Sequence, residues 1–470
     1  MTYNFEDQGG SYQMDALISR FEEMIKNSKE FFFDVQDFED IIDYYLERSD
    51  FSNCQKAIEA AKNQHPSCTA FKFKQALYLI SINKHNDSLN ILNELEILEP
   101  SNPEIYLTKG VIYSHQKKYD LSINAYKMAI KFADDPEDIY TNIAFEYENI
   151  GDYLRAINYL KKVLEINPEN EAIIYELSFC YELSGQSEEC VEFYENFIDK
   201  NPYSKSAWFN LGIAFSNIDK YEKAIDAYDF CLAIDETFAS AYFNKANALA
   251  HLKRYQDSIE TYEETFKYED PEAMTYYYIG ECYEKCNNFI AAIENHQKAI
   301  DLDDKLADAW IGCGLSYAEL QNLKSALNCI RKAIEIEPDN SEYWYILGDV
   351  QKKNEMLEEA IESYNKVSEM DPQHQEIWLD YSDVYTRISN YEAAIQVIKT
   401  GLSYQHQSAD LYYRLSVYQI LSGKNQEAFS SLQSGLALNY DAHQKIFKYH
   451  PNLKQNTSLI TFIEAFREDI

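Results

Sequence analysis

Residues 205–236 read KSAWFNLGIAFSNIDKYEKAIDAYDFCLAIDE, and two amphipathic runs lie inside that stretch. In the first, Trp208, Leu211 and Phe215 recur at spacings of three and four, with Gly212 on the same stripe. That spacing places one apolar stripe along one helix face. A polar break follows over 217–220. The second run carries Tyr221, Ala224, Ile225, Tyr228 and Leu232, again at helical spacing. The stretch therefore reads as two helices joined by a short turn, and two small residues, Gly212 and Ala224, fall on the stripes that face each other.

Working outward, the small residue of the second helix returns every thirty-four residues. The series is Cys54, Ser88, Ser122, Ala156, Cys190, Ala224, Ser258, Ala292, Ala326, Ala360, Ala394 and Ala428, with no insertion between members. A fixed period of this length marks a stacked repeat protein. Counting positions within a repeat from residue 35, these residues hold position twenty. Position eight is small as well, reading Gly110, Ala144, Ser178, Gly212, Ala246, Gly280, Gly314, Gly348, Ser382 and Ser416. A glycine inside a helix costs about 1 kcal/mol relative to alanine, so its recurrence points to close helix approach. Pro66, Pro100, Pro168, Pro202, Pro338 and Pro372 share position thirty-two, where proline ends the second helix. Gly151, Gly185 and Gly423 share position fifteen, in the turn inside the repeat.

This combination resembles the tetratricopeptide repeat family. The match is densest at 205–238, at 307–340 (Trp310, Gly314, Tyr317, Ala326, Ala333, Pro338) and at 341–374 (Trp344, Leu347, Gly348, Ala360, Tyr364, Pro372). The resemblance implies an all-α fold, a right-handed alpha-alpha superhelix or solenoid of stacked TPR helix hairpins with capping helices. It also implies that the first helix of each pair lines a concave groove. Three segments follow. Residues 1–34 are an acidic N-terminal segment with a cap helix over 12–27. Residues 35–442 are twelve 34-residue units, the first degenerate with bulky Ile42 at position eight. Residues 443–470 are a C-terminal cap region with a closing helix over 457–468. The pentatricopeptide class, which reads RNA, is set aside by its period of thirty-five and by the charge of this chain.

Acidic residues number 79 against 42 basic ones, a net charge of −37, and the repeats hold 34 of that excess. Such a field repels phosphate backbones and anionic lipid and attracts basic partners, so no nucleic-acid partner is expected. It also keeps an extended chain soluble. No run of 18 apolar residues occurs, so no membrane insertion is expected. The first ten residues include Glu6 and Asp7 and do not resemble a secretory signal; with nine cysteines, an odd number, the expected location is cytoplasmic.

Motifs for chemistry are missing. The sequence has no HExxH, no GxGxxG and no phosphate loop. Cys282 and Cys286 lie four apart on one expected helix. Yet Cys282 and Cys180 share position ten, and Cys54 and Cys190 share position twenty, where small buried residues are usual. His296 takes position twenty-four, where Tyr228 and Tyr262 stand in neighbouring units, and reads as a core substitute. The expectation is therefore a non-enzyme with no catalytic residue, metal or cofactor.

The resemblance places positions two, five, nine, twelve and thirteen of each first helix on the groove. The apolar candidates for partner contact there are Phe73, Phe145, Tyr175, Phe179, Phe209, Phe243, Tyr277, Tyr345 and Tyr413. The polar ones are Glu148, Glu182, Asn247, Glu281, Glu284, Asp349 and Asp383. Aromatic and acidic side chains on one wall suit a protein or peptide partner with a basic or apolar segment. The competing reading is that position five packs sideways against the next unit and that the acids merely solvate the surface. Relatives that clamp a C-terminal carboxylate carry lysine at position five, and here no unit does. The functional expectation is a protein–protein interaction scaffold or adaptor acting through the concave groove. The alternative is an assembly factor or regulatory subunit acting through the convex face or the end helices.

Overall fold

The computed structural model describes residues 7–27 and 31–468, and every regular element among them is helical. The remainder of the expected 1–34 segment lies outside the described residues. Two compact units are present, Met1–Glu236 and Thr237–Ile470, and their boundary falls between the sixth and seventh repeats. Each unit is a run of helix pairs. The stretch that opened the reading forms Lys205–Ser216 and Tyr221–Ile234, and its neighbours repeat those limits at the same offset.

Position eight explains the small residues. A Cβ placed on Gly212 would stand 2.4 Å from the Tyr228 ring, and one on Gly348 would stand 2.8 Å from that of Tyr364. Both lie far inside the roughly 3.5–4.0 Å of an ordinary carbon contact. The ring at position twenty-four of the second helix thus rests on the bare backbone of the first. Position twenty touches the same backbone. The hydroxyls of Ser122 and Ser258 donate to the carbonyls of Gly110 and Ala246, each at 2.8 Å, and Ser88 donates to that of Ala76 at 2.9 Å. All twelve residues at this position are buried.

The turn within each repeat is left-handed at position fifteen. Besides Gly151, Gly185 and Gly423, the residues with positive φ are Ser49, Asn83, Lys117, Asp219, Lys253, Asn287, Gln321, Glu355 and Ser389. Successive members of this combined set are thirty-four apart. The backbone thereby keeps the frame in every repeat, although glycine marks it in only three.

The turn between repeats is anchored from position four. Trp208, Trp344 and Trp378 donate their indole N–H to the carbonyls of Pro202, Pro338 and Pro372 at 2.9, 3.1 and 3.0 Å. Trp310 reaches Asp304 in the same way at 3.0 Å. Several helices start on side-chain caps: Asp50, Asp152, Asn288, Asn322 and Asn390 before second helices, and Asn102, Asn170, Ser204, Asn340 and Ser408 before first helices. Each such cap is worth about 1 kcal/mol.

Both ends are closed by apolar packing. The N-terminal helix runs Asp7–Asn27, longer than expected, and buries Phe21 against Phe33, Phe38 and Tyr45. At the other end the regular helix pairs give way to shorter elements. A 3-10 turn Tyr440–His443 leads into a short helix Gln444–Tyr449, Pro451 ends that helix, and Thr457–Glu468 follows. Phe462 of the last helix packs on Phe429 of the twelfth repeat at 5.0 Å. Within the described residues the expected closing helix is present, preceded by two short helical turns and one short helix.

Candidate functional site

First helices of consecutive repeats lie side by side within each unit and make a wall. Contacts across the wall define it. Cys180 Sγ meets the Glu148 carboxylate at 3.4 Å, the Tyr175 ring meets Phe209 at 6.2 Å, and Ser316 donates to Glu284 at 2.8 Å. Position ten of one repeat thus faces position twelve of the repeat before it.

The structure separates the sixteen candidates into three groups. Phe145, Tyr175, Phe179 and Glu182 are exposed on the wall, and Glu148 is half-buried beside them. Phe179 keeps 51% of its surface in water, Phe145 40% and Tyr175 36%. Phe179, Tyr175, Glu182 and Ile213 line a shallow cleft of about 190 Å³. Exposed rings gathered on one surface are the usual mark of a contact site.

A second group is partly covered and occupied with its own neighbours. Phe73 is half-buried and lines a small cleft with Lys74 and Glu99. Phe243 packs on Tyr262 at 5.5 Å and on Tyr278 at 5.8 Å, and Asn247 accepts the Tyr262 hydroxyl. Glu284 receives Ser316 and lies 3.1 Å from His296. Burial pushes the Glu281 carboxyl above its usual range, and a hydrogen bond from Tyr277 partly offsets that. The Tyr345 hydroxyl donates to Asp380 at 2.6 Å and that of Tyr364 to Asp349 at 2.7 Å. Lys352, almost buried, pairs with both acids at 2.7 and 3.0 Å. Burial pulls the Lys352 ammonium pKa down, but the ion pairs outweigh it and leave the pKa above its ordinary value. Asp383 accepts from Tyr449 at 2.8 Å and lies 3.3 Å from Arg387.

A third group corrects the reading of position five. Phe209 and Tyr413 are buried, at 6% and 2% exposure, and serve the packing. Phe209 is held between Tyr175 and Tyr228. The Tyr413 hydroxyl donates to the carbonyl of Asn439 at 2.5 Å. For these two, sideways packing against the next element wins over exposure on the wall.

One cluster on the wall has an unusual charge state. Ligand-type atoms of Glu148, Glu176 and Cys180 lie within 4.8 Å of one another. Burial, then the neighbouring Glu176 carboxylate, raises the Glu148 carboxyl to about 7, while the Cys180 thiol opposes the rise. Burial also pushes the Cys180 thiol up, so it stands as a neutral donor and not as a thiolate ligand. Cys282 is buried against Ser258, and Cys286 is exposed.

Sequence reasoning missed one surface. Position thirty carries the exposed Leu98, Phe132, Ile166, Ile234, Tyr268, Leu302, Met370, Tyr404 and Leu438, interrupted by Gln64, Lys200 and the half-buried Ile336. Its rings stack on position four: Tyr106 on Phe132, Tyr242 on Tyr268 and Trp378 on Tyr404 at 6.0, 5.7 and 5.9 Å. The same thirty-four count would have found the row.

Comparison with known proteins identifies the repeat. Tetratricopeptide-repeat models match residues 151–211, 206–238, 103–136 and 239–269, and a model of the cytochrome c-type biogenesis protein H TPR domain matches 295–439. The chain is a tetratricopeptide-repeat protein. That class is a protein-interaction scaffold, and the stacked helix pairs support the same broad role here. Among solved structures, YrrB, described as a TPR protein with an unusual peptide-binding site, is 22% identical over 40% of this chain and 96% of its own, with a TM-score of 0.34. The Cut9–Hcn1 hetero-tetramer of the APC/C gives 15% identity over 88% of this chain and 94% of its own, at 0.40. A C-terminal part of a TPR repeat-containing protein from Cytophaga hutchinsonii gives 18% over 51% and 98%, at 0.43. No curated protein matches the sequence. Among the described residues no helix is long and apolar enough to cross a membrane.

Proposed function

We propose that this chain is a non-enzymatic scaffold or adaptor that holds a basic or amphipathic protein segment against its first-helix wall. The observation that carries the reading is the exposure of Phe145, Tyr175 and Phe179 on one stretch of that wall. Burying the exposed faces of these rings gives a binding increment, and Phe145 and Phe179, the more exposed two, supply most of it. The acidic surround selects the sign of the partner and speeds encounter at low salt. The test is affinity capture from the source cell with wild type and a Phe145→Ser/Phe179→Ser variant. Loss of the captured set in the variant supports the wall, and an unchanged set counts against it.

A second reading has its own observation. The exposed row at position thirty suits an assembly factor or regulatory subunit that docks away from the wall. Capture that survives the phenylalanine changes but fails with Phe132→Ser and Ile166→Ser favours this alternative. A cytoplasmic location fits nine cysteines that are all free. The match of 295–439 to a cytochrome c biogenesis domain makes an extracytoplasmic location the rival, and cell fractionation decides between them.

A further inference from the structure

Acids on the wall differ in how they are neutralised. In the last repeats they carry their own cations: Lys352 serves Asp349 and Asp380, Arg387 serves Asp383, and Lys445 serves Asp410. In repeats four and five no such partner stands by. Among the described residues no Lys or Arg lies within ion-pair distance of Glu148, Glu176 or Glu182. The same short stretch carries the exposed Phe145 and Phe179, and Ile213 continues their row into repeat six.

We propose that repeats four to six are a receptive stretch of the wall, and that its occupant is a protein segment bearing a lysine or arginine flanked by apolar side chains. The cation seats between Glu148 and Glu176, and the apolar flanks lie on Phe145 and Phe179. This rests on the scaffold reading and adds the chemistry of the partner and its place on the wall.

Three features join in the argument. The two carboxylates are close enough for one cationic head to meet both, since their oxygens and the Cys180 sulfur share a 4.8 Å cluster. Two half-buried acids without a counter-cation crowd each other, so that Glu148 keeps a proton up to about pH 7, and an incoming cation takes that proton's place. Phe145 and Phe179 stand three residues from Glu148 and Glu176 on the same helices, and their exposed rings offer an apolar seat for the side chains that flank the cation. Nothing comparable is offered in repeats ten to twelve, where a partner's cation would have to displace Lys352 or Arg387 from their acids. The Phe179 cleft, about 190 Å³ in volume, fits one side chain and not a folded domain.

The experiment uses the full chain at physiological salt with chelator present. Fluorescence anisotropy measures a labelled amphipathic leucine–lysine peptide and its leucine–glutamate counterpart. The lysine peptide is expected to bind and the glutamate peptide is not. Affinity is expected to fall about tenfold or more in Glu148→Gln/Glu176→Gln, and likewise in Phe145→Ser/Phe179→Ser, the range of a hot-spot contact. Glu188→Gln/Glu189→Gln removes the same charge from exposed positions on a second helix and is expected to change affinity less than about twofold. Equal loss in the Glu188/Glu189 control, or unchanged affinity in both wall variants, overturns the proposal and leaves the scaffold reading standing. Failure of wild type to bind the lysine peptide counts against the basic-segment reading itself. Hydrogen exchange of the complex gives an independent readout, and protection anywhere but the first helices of repeats four to six also overturns it.

Discussion

Lys117, Lys253 and Gln321 sit at position fifteen with φ of 57°, 61° and 59°, exposed to solvent. A non-glycine residue in this left-handed region costs about 1–2 kcal/mol in steric strain. Glycine removes that strain but gains freedom in the unfolded chain, worth about 0.5–1 kcal/mol against it. The net expectation is a gain of about 0.5 kcal/mol for each change to glycine. The three sites lie in separate repeats and share no partners, so the triple variant should gain about 1.5 kcal/mol. The reverse experiment is Gly151→Ala. Its φ is 80°, and an added Cβ would meet nothing within 4 Å. Any loss there is therefore backbone strain less the entropy alanine removes from the unfolded chain, about 0.5–1 kcal/mol net. Urea denaturation followed by circular dichroism reads both changes as midpoint shifts. A triple variant no more stable than wild type, together with a neutral Gly151→Ala, would refute the left-handed turn and with it the shared frame.

Other expectations follow from the packing and the charges. Gly212→Ala forces the Tyr228 ring aside and should cost about 1–2 kcal/mol net of helix propensity, while adding Tyr228→Leu, the pairing seen at Ala144 and Leu160, should recover part of that loss in a double-mutant cycle. Lys352→Ala leaves Asp349 and Asp380 without their cation and should destabilise by about 3 kcal/mol, with partial rescue by Asp380→Asn. Because Glu148 holds its proton up to about pH 7 when folded, the unfolded chain releases that proton first as pH rises. Stability should therefore fall between the ordinary carboxylate range and neutrality, and Glu148→Gln should remove this fall, matching wild type at acid pH and exceeding it by about 1 kcal/mol above neutrality, a figure kept small because the group is half-exposed. Thermal melts of both proteins from pH 4 to 8 read the difference, and parallel curves would contradict the burial of that pair.

The fold was legible because positions eight and twenty carry a hard steric demand. Tyr228 leaves no room for a Cβ on Gly212, and Ser122 is buried against the Gly110 carbonyl, so small residues recur there. Position fifteen makes the same backbone demand, yet Lys117 and Gln321 meet it with strain, so the sequence shows it at three glycines alone. The wall was legible only in part. Position five faces both the groove and the neighbouring helix, and the balance depends on the neighbour. Phe209 meets Tyr228 and is covered, whereas Phe179 at position nine meets no such ring and stays in water. Pairing of acids was not legible either. Lys352 stands three residues from Asp349 on its own helix but reaches Asp380 on the next, and only the stacking of first helices brings them together. The position-thirty row recurs on the same count, but apolar character alone does not separate an exposed row from a buried one, and only the exposure does.

Amide hydrogen exchange resolved along the full chain tests the stacked frame most directly. Fast exchange is predicted at the turns around positions fourteen to sixteen and thirty-two to thirty-four, recurring with the same phase from Ser49 to Gly423, and slow exchange in the two helices between. Protection that drifts out of step with that count, or spans those turns, would contradict it.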